Sequence, residues 1–399
     1  MVTGRYHVGK TYLIRQYFGD QFSFYATGEL NEKTKSQLRL FHKQLRKYGD
    51  SSGSAPKDWL EAFSRLQIIL ERPDTYRDPS GKRIVFLDEV PWMDTARSDF
   101  RSALCYFWNS WGSVQPDLML IVCGSTTSWI IEHLLEGRGG FYNRITRQIH
   151  VKPFNLKECE LLCSANGLAL TRPQILEAYM ILGGIPYYLN LLNPRFSLPQ
   201  NIQELCFQDT GPLKYECPRL FRSLFRNPEK HLAIVQAASR HSGITRKELT
   251  QLPEIGNGES LTRALSELEQ CVFLRKTRSS AAEKNGLLYQ LIDPFVLFYF
   301  HFVQNNQVHS WTGFNGTPAY YAWKGNAFET LCLNHVDQIK AAPEIRGVET
   351  EEYAWRGRTS SPGVQIDLLI DRRDNVINLC EMKCTDQPFA IDASYENSC

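Results

Sequence analysis

The chemistry of this chain opens with Gly4 and Gly9, five positions apart, followed at once by Lys10 and Thr11. Glycines so placed let backbone N–H groups converge on an anion. A lysine ammonium next to them reaches the outer phosphates of a nucleotide, and a threonine hydroxyl offers one oxygen to Mg²⁺. The pattern predicts a site for ATP and Mg²⁺. Residues 12–18 supply an amphipathic helix whose positive end must face those phosphates.

A second element must deliver acids to the same place. The β-branched and aromatic run 84–90 reads as a buried parallel strand ending in Asp88 and Glu89. Asp88 is expected to hold Mg²⁺ through water, and Glu89 to orient and deprotonate the attacking water. A further apolar strand over 118–124 runs into Ser125. A polar residue at the carboxyl end of a central strand is where a γ-phosphate sensor sits, so Ser125 is the candidate. Ser125 also stands in capping order before an apolar stretch at 129–135, which predicts a helix there.

The whole chain sets bounds on these readings. At 399 residues two to four domains are expected. The formal charge of +2 gives no global pull toward nucleic acid, so any DNA contact must come from a local basic patch. The 11 cysteines include no C-x-x-C pair and read as reduced thiols. No apolar run is long enough for a bilayer span and the first 20 residues lack a signal peptide's apolar stretch, so a cytoplasmic protein with no membrane partner is expected.

The expected organisation has four parts. Residues 1–154 alternate strand and helix patterns as a doubly wound α/β core does. Residues 155–228 read as helical, with a start at Phe154–Glu158 and a break at 183–186. Residues 229–305 read helix, helix, helix, hairpin, the order of a winged helix. Its third helix carries Arg263 against Glu267 and Glu269. Base readers need Arg, Lys, Asn or Gln on that face, so a structural or protein-docking wing is expected.

Residues 306–399 hold a separate acid set. Glu329 stands early in a helix read to open at Gly325, and strands over 365–370 and 377–383 carry Asp367, Glu381 and Lys383. Period-2 alternation puts Glu381 and Lys383 on one face of a mixed sheet. Acids embedded in apolar strand need a partner or a metal. Glu329, Asp367 and Glu381 are the candidate Mg²⁺ ligands, and Lys383 is the candidate positioner of a water for attack on a phosphodiester.

Taken in order, Gly4–Thr11, Leu87-Asp-Glu-Val90, Cys123-Gly-Ser125, Phe141-Tyr-Asn-Arg-Ile-Thr146, Lys152-Pro-Phe154, Gly183-Gly-Ile-Pro-Tyr187 and Asp293-Pro-Phe295 resemble the archaeal-type P-loop ATPases, an AAA- and STAND-related family. The resemblance implies a P-loop core with helical lid, a winged helix and a C-terminal domain similar to PD-(D/E)xK nucleases, acting on DNA. It also implies a charge-stabilising role for Arg144. The chain departs from that pattern in three places. Only three residues precede Gly4, which predicts a gap at the centre of the sheet and a chain shortened from a longer protein; the sequence stops at Cys399 soon after the Glu381–Lys383 strand, which predicts a truncated nuclease-like domain; and Ile366 stands where the nuclease pattern has proline. The alternative is an ATP-dependent interaction switch whose C-terminal domain is an inactive docking fold for a protein partner or a second copy.

Overall fold

The computed structural model describes residues 1–125, 129, 144–225, 227–278, 287–304, 310–345, 347–356 and 365–385. They form two units, Met1–Lys152 and Pro153–Cys399.

The first unit is built on five parallel strands. They are β1 (Val2–Thr3), β2 (Phe24–Thr27), β3 (Arg83–Asp88), β4 (Leu118–Gly124) and β5 (Ile149–His150), in the order β2-β3-β4-β1-β5. Alternation along β3 explains why it is central. Val85 and Leu87 join a core with Phe41, Trp59, Phe63 and Phe100, contributed by helices α2 (Thr34–Lys47), α3 (Trp59–Leu70) and α5 (Phe100–Ser110). Ile84 and Phe86 point the other way, onto Val2 and Ile14 of α1 (Lys10–Tyr17). A strand buried on both faces must be apolar throughout, as this one is.

The expected gap in the sheet is filled. Val2 pairs with Cys123 and Ile149, and Thr3 with Gly124 and His150, so two residues make the strand that delivers Gly4. Both are buried. The helix expected at 129–135 lies outside the described residues, apart from Trp129, whose indole donates to Asp94 at 2.9 Å.

In the second unit Asn155 and Glu158 form the predicted helix start as a reciprocal capping box at the head of Leu156–Ala165. The predicted break falls at Gly183, whose φ of 66° ends the helix Arg172–Leu182. From Pro228 the order is helix Pro228–Ala238, β6 (Ile244–Thr245), helices Arg246–Thr250 and Glu259–Gln270, then β7 (Leu274–Arg278) and β8 (Leu287–Leu291). These strands form one antiparallel sheet, β6-β8-β7.

The last part departs from expectation in three ways. Its helix runs Pro318–Asn334, capped by Thr317, so Glu329 lies late in the helix rather than early. Proline at the first position and a threonine cap place the start one turn and more before Gly325. The sheet of β9 (Thr350–Arg356), β10 (Gln365–Arg372) and β11 (Val376–Cys380) is antiparallel rather than mixed among the described residues. Finally β11 ends at Cys380, so Glu381 and Lys383 lie past it.

Candidate nucleotide site

The site collects at the carboxyl edge of the parallel sheet, where β1, β3 and β4 end in Thr3, Asp88 and Gly124. Loops leave a parallel sheet on this side, and ligands bind there. Gly4 has φ 147°, and a Cβ added to it would stand 2.3 Å from the Val151 carbonyl oxygen. Gly9 has φ 91° with open space around it and caps α1, and as the capping residue it makes no side-chain hydrogen bond to the helix. The first turn of α1 also carries no acid. An uncapped, positive helix end behind a bare glycine is an anion site.

The side chains form one chain of contacts. Lys10 is buried, and its ammonium donates to the Arg5 carbonyl at 2.9 Å and to Ser125 Oγ at 3.0 Å. Ser125 Oγ donates in turn to Glu89 Oε1 at 2.5 Å, and the Ser125 N–H to Glu89 Oε2 at 3.3 Å. Thr11 Oγ1 donates to Asp88 Oδ2 at 2.7 Å, while Asp88 Oδ1 accepts the Glu89 N–H at 3.0 Å. Predicted residues from three separate segments therefore meet within hydrogen-bonding reach.

Burial pushes the Glu89 carboxyl above its usual range, against the opposing pull of the Lys10 ammonium and the Ser125 hydroxyl. A carboxyl so raised holds a proton more readily than a free glutamate, the direction a general base needs. Glu89 also sits in left-handed backbone, φ 47° and ψ 43°, at the sharp turn from β3 into the short helix α4 (Val90–Met93). Beneath the acids, Cys123 is buried and its thiol is pushed well up, by burial first and then by Asp88.

Two supporting residues escape a motif reading. Gly28 follows β2, and a Cβ there would lie 2.4 Å from the Glu89 carbonyl oxygen. Gln37 of α2 is buried; its amide oxygen accepts the Glu29 N–H at 3.1 Å, and its amide nitrogen donates to the carbonyls of Glu29 at 2.6 Å and Trp92 at 2.9 Å. It ties the turn after β2 to the turn after β3. The signal for Gly28 is its position at the carboxyl end of a parallel strand; Gln37 leaves no local signal.

Arg144 is not brought into this chain of contacts. It donates to Asn109 Oδ1 at the end of α5 and borders a cavity of about 250 Å³ with Met1, Lys82 and Trp108.

The C-terminal acids are placed differently. Asp367 is buried, and its Oδ2 accepts the Met382 N–H at 2.8 Å. Between Ile366 and Leu369 the register with β9 slips, so Asp367 and Leu368 occupy the length of one partner residue. Glu381 pairs with Lys383 at 2.5 Å in the exposed segment after β11. Glu329 borders a different cleft. Among the described residues no three His, Cys, Asp or Glu side chains gather as a metal-holding group.

No protein-family model matches the chain. It is 23% identical over 313 residues to an uncharacterized protein, MJECL04, of Methanocaldococcus jannaschii, covering 77% of this chain and 64% of that one. The chain thus spans less than two-thirds of that relative's length. Among solved structures, the Walker-type ATPase PABY2304 of Pyrococcus abyssi superposes with a TM-score of 0.51 at 20% identity, over 75% of this chain and 90% of that chain. The ORC2 protein of Aeropyrum pernix, in its ADPNP-ADP complexes, aligns with a TM-score of 0.47 at 12% identity, over 76% and 86%. The likeness to the Pyrococcus protein shows the fold alone: an α/β fold with a parallel sheet. No helix among the described residues is long and apolar enough to cross a membrane.

Proposed function

We propose that the chain binds Mg-ATP at Gly4–Thr11 and hydrolyses it, with Glu89 as general base. The observation that carries this reading is the contact chain from Lys10 through Ser125 to Glu89. Lys10 would hold phosphate oxygens, and Thr11 and Asp88 would hold the metal. Two hard oxygens 2.7 Å apart beside a buried ammonium suit Mg²⁺ and a phosphate chain. When bound, Mg-ATP supplies the electrophilic phosphorus and the cation that neutralises charge developing on its oxygens. Glu89 then takes a proton from water, and Ser125, bonded to both Lys10 and Glu89, senses the γ-phosphate.

Beyond the core we propose a winged helix over 229–305 and a PD-(D/E)xK-like fold over 306–399. The element order from Pro228 to Leu291 supports the first. For the second, the engagement of Asp367 by a backbone N–H and of Glu381 by Lys383 favours an inactive docking module for DNA or a protein partner over a nuclease. On that reading the protein is an ATP-dependent interaction switch.

Two variants test the ATPase assignment. Lys10→Ala should lose roughly 100-fold of ATP affinity, since it removes a charged donor to the phosphates. Glu89→Gln keeps the shape and should bind ATP like the parent while kcat falls about 10²–10⁴-fold. Equilibrium binding and single-turnover hydrolysis measure the two. Parental hydrolysis by both variants would overturn the reading.

A further inference from the structure

The segments that carry Glu89 and Ser125 touch a second time, away from the nucleotide site. Glu89 caps the start of α4 and Asp94 caps its end. Ser125 follows β4, and Trp129 stands four positions further on. Asp94 and Trp129 are both buried. The Trp129 indole N–H donates to Asp94 Oδ2 at 2.9 Å, while at the other end the Ser125 hydroxyl and N–H both donate to Glu89. Two rungs therefore join the two segments.

The second rung does more for Trp129 than for Asp94. The Asp94 carboxylate has Arg101 Nε at 3.1 Å from the same oxygen, and its Oδ1 accepts from the Ser98 hydroxyl at 3.4 Å. A buried indole N–H is a donor only and needs an acceptor. One contact lets a segment pivot about it. Two contacts fix its rotation as well, and so the direction of the Ser125 hydroxyl.

We propose that Asp94 is a positioning residue for the nucleotide site, holding Trp129 so that Ser125 stays seated on Glu89. This rests on the reading of Glu89 as base and Ser125 as sensor. Trp129 also belongs to the core around Phe63 and Phe100, so its packing has to be told apart from its positioning.

Trp129→Phe in the full chain keeps a ring in that core, removes the donor and leaves Asp94 with Arg101 and Ser98. Single-turnover hydrolysis should slow by about tenfold or more with ATP affinity nearly kept, since displacement on the order of 1 Å costs about 100-fold. Two readouts separate this from a packing defect. The Ser125 hydroxyl draws the Glu89 carboxyl down against its burial, and the substitution leaves Lys10 and Asp88, the charged groups beside it, in place. Loosening Ser125 should therefore move the acid limb of the pH–rate profile to higher pH. The rate loss should also be absent when Trp129→Phe is placed on Ser125→Ala, because residues acting as one unit are not additive. Asp94→Asn weakens the same rung from the other side and should lose rate with the same dependence on Ser125, which decides the matter if Trp129→Phe does not fold. An unmoved acid limb, or losses that add, assigns Trp129 to packing and overturns the proposal. No hydrolysis by the parent overturns the ATPase reading and this one with it; parental hydrolysis by both variants overturns this one alone.

Discussion

The Lys10 site and the Asp367 site use the same materials, two acids and a lysine. Only the first assembles. At the nucleotide-site candidate, Lys10, Asp88, Glu89 and Ser125 reach one another because each sits at or just past the carboxyl end of a parallel strand, Lys10 on the helix that follows β1, and a parallel sheet brings those ends to one edge. At the C-terminus the acids lie on an antiparallel hairpin and a helix, and each finds its own neighbour. Asp367 takes a backbone N–H, and Glu381 takes Lys383. Residue types describe what a site would need, and topology decides whether it closes.

The sharpest way to break this contrast is to disturb the Glu89 turn without touching an acid. Gly28→Val would drive a side chain into the Glu89 carbonyl, 2.4 Å from the first added carbon. Displacement on the order of 1 Å costs about 100-fold in turnover. Steady-state kinetics should show kcat falling with ATP affinity nearly kept, and a parental kcat would show that the turn does not position the base.

Next comes pH. On the proposed reading Glu89 acts as an ionised base, and its carboxyl titrates above the ordinary glutamate range. The acid limb of the kcat profile should therefore lie at higher pH than a free glutamate would give. The raised value also means the native state binds this proton more readily than the unfolded chain. Ionised Glu89 thus destabilises the fold above its pKa, and that cost disappears as pH falls. Glu89→Gln should melt higher than the parent at neutral pH, with the difference closing in acid; equal melts throughout would contradict the burial argument.

Asp367→Ala probes the other side of the comparison. If this carboxylate is a backbone acceptor, its loss should destabilise the second unit by about 1–3 kcal/mol and leave ATP turnover unchanged. Denaturant melts and Mn²⁺ titration read it. A parent that binds Mn²⁺ through Asp367 would restore the nuclease reading.

The smallest effect is expected at the opposite edge of the parallel sheet. Arg83 donates to both oxygens of Asp117, at 2.9 and 2.6 Å, and with Arg77 holds its carboxyl down at about 2. A depressed pKa contributes stability that is present above the unfolded value near 3.8 and lost as pH falls toward about 2. Asp117→Asn should cost no more than about 1 kcal/mol at neutral pH. The gap from the parent should vanish over that acid window, and a gap that persists at the lowest pH would assign the loss to packing.

The N-terminal site was largely legible because its signals are local: a glycine loop, an apolar strand ending in acids, a polar residue closing another strand. The pairing of β1 was not. Its partners are Cys123 and Ile149, more than a hundred residues away, and no local pattern states which strands it will join. Glu329 was misplaced in its helix because Gly325 drew the start, while the stronger signals, Thr317 and Pro318, lie upstream. Alternation extended β11 to Lys383, although the ladder ends at Cys380 where Asp367 takes the next available N–H. Gln37 bonds to turns from two other segments, and one buried glutamine carries no periodicity.

The left-handed backbone of Glu89 reaches further than the reaction. A side-chain-bearing residue held there costs on the order of 1–3 kcal/mol, which glycine or asparagine would largely avoid. Selection for thermal endurance alone would therefore drift toward Gly or Asn at this position and remove the proposed base, so on that reading robustness and activity are set against each other at a single residue.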